Sequence, residues 1–215
     1  MLFQGLQYIN FLFQSKNQHG VHSPFVYDFV TKCLYKKSDM LLINAFKKIK
    51  KLLFSNLNFI EVRDFGSGSK LFKSNKRQIS KIAKIAGISN KKVKILTKII
   101  TYFKPNTILE IGTSVGLSTS VFKISNRNAN ITTLEGCIET SSIAKDIFKN
   151  NNFKNIEILV GNFKNTLPKA TERNEFDCIF FDGNHTKKAT LNYFQECLKT
   201  VSILIYLNVK SFCVF

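Results

Sequence analysis

The chain has 215 residues, 44% of them hydrophobic and 21% charged, which supports one good-sized folded core and excludes wholesale disorder. Its net charge of +18 comes from 32 basic against 14 acidic residues, and only four of the basic ones are arginine (Arg63, Arg77, Arg127, Arg173). Specific phosphate and base recognition favours arginine's planar fork. A lysine excess spread along the whole chain therefore reads as composition, with a general attraction for nucleic acid as its consequence.

Five scattered cysteines (Cys33, Cys137, Cys178, Cys197, Cys213) form no CxxC pair. They exclude a disulfide framework or zinc ribbon and suit reduced thiols in a cytoplasmic protein. No run reaches the ~20 apolar residues of a membrane span. The apolar N-terminus lacks the basic region and cleavage site of a signal peptide.

Up to about residue 104 the periodicity is helical. Apolar residues recur at spacings of three and four over 2–13, 25–34, 41–54, 79–85 and 93–103. The segment 2–13 is amphipathic, and its expected place is against the core rather than on a membrane. Ser23 followed by Pro24 marks a capped helix start. Around Gly66, Gly68 and Ser69 the chain reads as a loop.

After Pro105 short apolar strands alternate with helices. Strands are expected at 107–111, 131–134, 156–160, 176–181 and 201–209, and helices at 117–124, 139–148 and 187–198. This pattern implies right-handed crossovers and an α/β fold: an open, mainly parallel sheet of about five strands, helices on both faces, and a helical N-terminal extension. The expected organisation is a helical cap region, 1–104, and a ligand-binding core, 105–215.

In such sheets ligands bind beyond the carboxyl ends of the strands. The first end reads LEIGTSVGLST, where Gly112 and Gly116 permit a tight turn into a helix with free N–H groups. Their spacing is GxxxG, not the GxGxxG of nicotinamide enzymes. The second ends at Glu135, 135 − 116 = 19 residues beyond Gly116. A carboxylate there can accept both hydroxyls of a ribose, or simply cap a helix. The third end offers Asn162 to an adenine edge and Phe163 to its ring, although either can close a loop. The fourth, FDCIFFDGNH, brings out Asp182 and, one turn on, His185. That pair suits proton transfer or a metal, and His185 equally suits a loop or helix cap.

Taken in order, LEIGTSVGLST, TLEG, VGNF and FDCIFFDGNH resemble the successive motifs of class I S-adenosylmethionine (SAM)-dependent methyltransferases, and are most similar to the O-methyltransferase branch. QHGVHSPFVYDFV and DFGSGS are similar to a bacterial subgroup of that family. The resemblance covers nearly the whole chain and implies a Rossmann-like core. It implies that Glu110, Gly112, Thr113, Gly116 and Ser118 line the methionine and ribose region of SAM. Glu135 would hold the ribose, and Asn162 and Phe163 the adenine side. Asp182 would lie near the transferred methyl, with Asp182 and His185 as the catalytic pair. The implied acceptor is an oxygen of a small molecule.

Two departures from the family stand out. The fifth strand ends in Leu207 and Asn208 where the subgroup has acidic residues. Asp182 then has no acidic partner for a divalent metal, and no metal ligands are assigned. The chain also ends at Phe215, whereas such folds continue into two more strands. This predicts a core without those strands, with an apolar edge open to homo-oligomer contact. A non-catalytic remnant of a truncated gene, and an RNA-binding or RNA-methylating protein, stand as alternatives to an active small-molecule enzyme.

Overall fold

The computed structural model describes residues 2–14, 22–63, 74–85, 87–184, 186–200 and 206–208. They fall into two units, Met1–Lys37 and Ser38–Phe215. In the first, helix α1 (Leu2–Gln14) carries no charged residue. The expectation that it packs into a core is corrected: Leu6, Tyr8, Ile9, Phe11 and Phe13 are all exposed. Helix α2 (Pro24–Asp28) begins where Ser23 accepts from the Val26 amide. It runs into a π-helical turn, Phe29–Leu34, closed by the Tyr35 amide on the Val30 carbonyl. Apolar spacing predicted one continuous helix here, because a single π turn barely disturbs the side-chain period.

The second unit opens with α3 (Met40–Ser55), capped by Asp39, whose side chain accepts from the Leu41 amide. Its apolar stripe, Ile43, Phe46, Ile49 and Leu53, is buried. A two-stranded antiparallel ribbon follows, β1 (Phe59–Glu61) with β2 (Lys76–Gln78). Three-residue strands of mixed polarity carry no alternation to read. Helices α4 (Ile79–Ile85) and α5 (Asn90–Phe103) come next. Lys104 ends α5 in the left-handed conformation and Pro105 forbids its continuation.

The main sheet contains β3 (Thr107–Ile111), β4 (Asn130–Glu135), β5 (Ile156–Val160), β6 (Cys178–Phe181) and β7 (Tyr206–Asn208). They are ordered β5-β4-β3-β6-β7, and every pairing is parallel. The crossovers are α6 (Leu117–Ser125), α7 (Ile138–Asn150), α8 (Phe163–Thr171) and α9 (Lys187–Cys197). The Rossmann-like α/β expectation holds. The expected strand 201–209 is represented by β7, and its flanks lie outside the described residues.

Helix α8 was not expected from the sequence. Pro168 inside it and its modest apolar content obscured the signal, although Asn162 caps it by accepting from the Lys164 amide. Both sheet faces are covered, so the strands read as apolar runs rather than alternating ones. Leu109, Ile111, Ile179 and Phe181 pack with Leu167, Ala170, Tyr193 and Cys197 of α8 and α9. On the opposite face Phe180 meets Phe122 of α6 edge to face, with ring centroids 5.3 Å apart. Asp177 clamps the entry to β3, its Oδ2 accepting from the amides of Asn106 (2.7 Å) and Thr107 (3.1 Å). Among the described residues no helix is long and apolar enough to cross a membrane.

Lys123 of α6 is 1% exposed. Its ammonium donates to the carbonyls of Arg127 (2.9 Å) and Ala129 (2.6 Å), tying down the turn into β4. Burial, and then the nearby Arg127, push its pKa down. Lys123→Met keeps the stem but strands two carbonyls, so urea unfolding should show a loss of about 1–3 kcal/mol.

Candidate functional site

The sheet order reverses between β3 and β6: the chain moves outward from β3 to β4 and β5, then returns to β6 on the other side. Such a switch point opens a crevice beyond the carboxyl ends. Glu110, Gly112, Thr113 and Gly116 lie at or just beyond the end of β3, Glu135 ends β4, and Asp182 follows β6. The sequence expectation thus brings three carboxylates to three adjacent strand ends.

Gly112 has φ 108°, and a Cβ there would stand 2.8–2.9 Å from the backbone of Asp182 and Gly183. The approach is held by the Asp182 amide on the Ile111 carbonyl, 2.9 Å. On the other side the amides of Gly112 and Thr113 both reach the Leu134 carbonyl at 3.0 Å. Gly116 (φ 79°) opens α6 in the left-handed region, with Phe148 and Ala144 where a side chain would go. No side chain caps this helix, so its first-turn amides face the crevice end without a side-chain acceptor.

Glu135 is half-buried and doubly anchored. Its Oε2 accepts from the Ser114 amide (2.6 Å) and its Oε1 from the Cys137 amide (2.9 Å). Burial pushes its pKa up, against the opposing pull of those amides. The Thr140 hydroxyl and the Gly136 amide pull the same way, and the carboxylate stays partly open to solvent. Ser114, in the left-handed region at φ 50°, is a contributor the sequence reading missed. Its signal would have been a polar residue in the turn between two glycines.

Glu110 is fully buried, 0% exposed. The hydroxyls of Thr119 and Thr133 both donate to its Oε2, the latter at 2.7 Å. Thr113 lies 2.6 Å from the Thr133 hydroxyl and extends the chain. Among the described residues Glu110 Oε1 has no hydrogen-bond partner. Burial pushes its pKa up to about 8, with the Thr119 and Thr133 hydroxyls opposing and the charge of Asp182 adding to the rise. Thr119 and Thr133 were not singled out from the sequence. A hydroxyl pair one strand and one helix away leaves no local spacing to detect.

Ser118 is buried on α6 near Glu110, where its hydroxyl weakly opposes the same rise. Asn162 caps α8 through its side-chain oxygen. Phe163 packs edge to face with Tyr193, centroids 6.0 Å apart, and stands where a side chain on Gly183 would go. Asp182 is half-buried, and His185 lies outside the described residues. Asn208 pairs with Phe181, one residue before Asp182. Among the described residues no group of three or more His, Cys, Asp or Glu could hold a metal ion.

Residues 109–203 match a family model described as a methyltransferase domain. The strand-end site of the chain lies within this match. Solved methyltransferases share its fold. The chain is 18% identical to a methyltransferase of Podospora anserina bound to S-adenosylhomocysteine (SAH), with a TM-score of 0.55 over 86% of this chain and 67% of that one. It is 21% identical to an O-methyltransferase of Bacillus cereus in complex with SAH, TM-score 0.53, covering 85% and 71%. It is 20% identical to the O-methyltransferase TomG of Streptomyces achromogenes in complex with SAM, TM-score 0.51, covering 89% and 74%. No curated protein sequence matches the chain.

Two outcomes follow from the geometry of these strand ends. Gly112→Ala should destabilise it by about 1–3 kcal/mol, because the added carbon meets backbone and the positive φ is strained. The second concerns pH. Glu110 holds its proton up to about pH 8 in the folded state, whereas an ordinary carboxyl releases it near 4.5. Its contribution to stability is complete below the ordinary value and is lost as pH rises toward 8. Urea midpoints should fall across that window, and Glu110→Gln should flatten the fall relative to wild type.

Proposed function

We propose that the domain transfers a methyl group from SAM to an oxygen of a small-molecule acceptor. The single observation that carries the reading is Glu135, a carboxylate fixed by two turn amides at the end of β4 and still partly open to solvent. Beside it stand the uncapped first turn of α6 and the unpartnered Oε1 of Glu110. These groups fit an adenosyl amino acid: hydroxyls to Glu135, a carboxylate to the helix amides, and a positive end toward the buried carboxylate.

Bound SAM would supply an activated methyl on a sulfonium sulfur, the demanding part of the chemistry. The protein's part is placement. The Gly112–Gly116 turn keeps backbone close to the ligand, with Thr113 and Ser118 behind it. Asn162, its oxygen committed to the helix cap, has its amide NH2 to offer an adenine nitrogen, and Phe163 walls that side. Asp182, at the opening of the switch point, is placed to orient or deprotonate an acceptor hydroxyl, with His185 as its companion in this reading. The region 1–104 is assigned to acceptor selection and 105–215 to the cofactor.

The cysteines Cys33, Cys137, Cys178 and Cys197 are buried, and a cytoplasmic setting would keep them reduced. The charge of +18 gives a general pull on nucleic acid. Among the described residues β7 is the last strand of the sheet, and its backbone groups could pair with a second copy. Neither carries the reading.

Calorimetric titration with SAM tests it. The folded wild type should bind, and Glu135→Ala should lose roughly 1–3 kcal/mol of affinity. Folded wild-type protein that takes up no SAM would overturn the assignment.

A further inference from the structure

In the methyltransferase reading Glu110 faces the ligand's positive end, and its surroundings set its charge. A carboxylate with no surface exposure ordinarily comes with a cation or a full set of donors, because burying bare charge is costly. Glu110 has neither. Two hydroxyls, from Thr119 and Thr133, serve one oxygen, and the other has no partner.

Among the described residues, the elements packed around it supply no counter-charge. On α6 its neighbours are the hydroxyls of Ser118 and Thr119. Lys123, one turn further along that helix, spends its ammonium on the carbonyls of Arg127 and Ala129. On β4 the neighbour is Thr133. Beyond β6 the charge that acts on it is Asp182, which has the same sign. Glu135, at the end of β4, is a third carboxylate on the same side of the sheet. The site thus concentrates negative groups in a chain of net charge +18.

We propose, resting on the SAM reading, that Glu110 couples ligand charge to a proton: it is neutral in the empty crevice and ionises when the sulfonium cation enters, so that uptake of the methyl donor releases a proton that uptake of the demethylated product does not. The warrant is electrostatic complementarity in a place that water does not reach. An incoming cation supplies the counter-charge that the fold withholds, and the neighbouring ionised carboxyl becomes favourable. SAH carries the same α-ammonium and lacks only the sulfonium charge, so its arrival supplies less counter-charge and leaves Glu110 closer to its resting state. Glu110 then acts as a positioning and selectivity group rather than as one that touches the transferred methyl.

The experiment is calorimetry of SAM and of SAH binding to the full chain at pH 7, in buffers of different ionisation enthalpy. The dependence of the observed heat on buffer enthalpy counts protons released. The expected result is a clear release, approaching one proton, with SAM and a much smaller one with SAH. SAM affinity should also tighten by up to about tenfold per pH unit as pH rises toward 8, while SAH affinity stays nearly flat. Glu110→Gln, with folding checked by its melting transition, should bind SAM without proton release and without the pH slope. If that variant does not fold, the wild-type comparison of SAM with SAH decides alone. SAM binding with no buffer-dependent heat, or with the same release as SAH, would overturn the coupling while leaving the SAM reading intact. Failure to bind SAM at all would instead remove the reading beneath it.

Discussion

The rest of the site depends on how closely the ends of β3 and β6 approach one another. A parallel sheet spaces its strands at nearly 5 Å, yet the backbone after β3 comes so near Asp182 and Gly183 that Gly112 has no room for a side chain. The hydrogen bond from the Asp182 amide to the Ile111 carbonyl holds the two ends together. Because β3 is also registered to β4 along its whole length, fixing this contact places Glu110 beside Thr133 and directs the turn toward Glu135. One steric constraint thereby decides where three carboxyl groups sit.

Those carboxyl groups differ in kind. Glu135 is met by two backbone amides and remains partly open, the arrangement of a ligand acceptor. Glu110 is sealed and under-supplied with donors, the arrangement of a group whose charge depends on what occupies the crevice. Asp182 stands half-buried at the mouth. A shared sign with unequal environments separates the roles that a single charge count would merge.

Much of this was legible in the sequence. The change of period after Pro105, the glycines at 112 and 116, and the 19-residue step from Gly116 to Glu135 located the sheet and two of its strand ends. The less legible parts have physical reasons. Helix α8 hid behind Pro168, and β1 and β2 are too short to show alternation. The partners of Glu110 come from β4 and α6, a relation set by tertiary packing and not by spacing. Helix α1 misled for a different reason: apolar periodicity reports that a face seeks cover, not that the fold provides it, and its side chains stand exposed. The role of Phe163 was only half visible, since its packing on Tyr193 and Gly183 depends on α8 and α9 meeting at the end of β6.

The double anchoring of Glu135 has a consequence for the entropy of recognition. A free glutamate side chain surrenders on the order of 1.5–2 kcal/mol of rotamer freedom when a ligand immobilises it. Here the amides of Ser114 and Cys137 have already immobilised it during folding. A diol bound there as proposed would meet a carboxylate whose freedom is spent in advance, so more of the new hydrogen-bond energy would appear as affinity. Ser114 holds a left-handed backbone conformation to provide one of those amides. Strain in a five-residue turn thus fixes the direction of a carboxylate on the neighbouring strand.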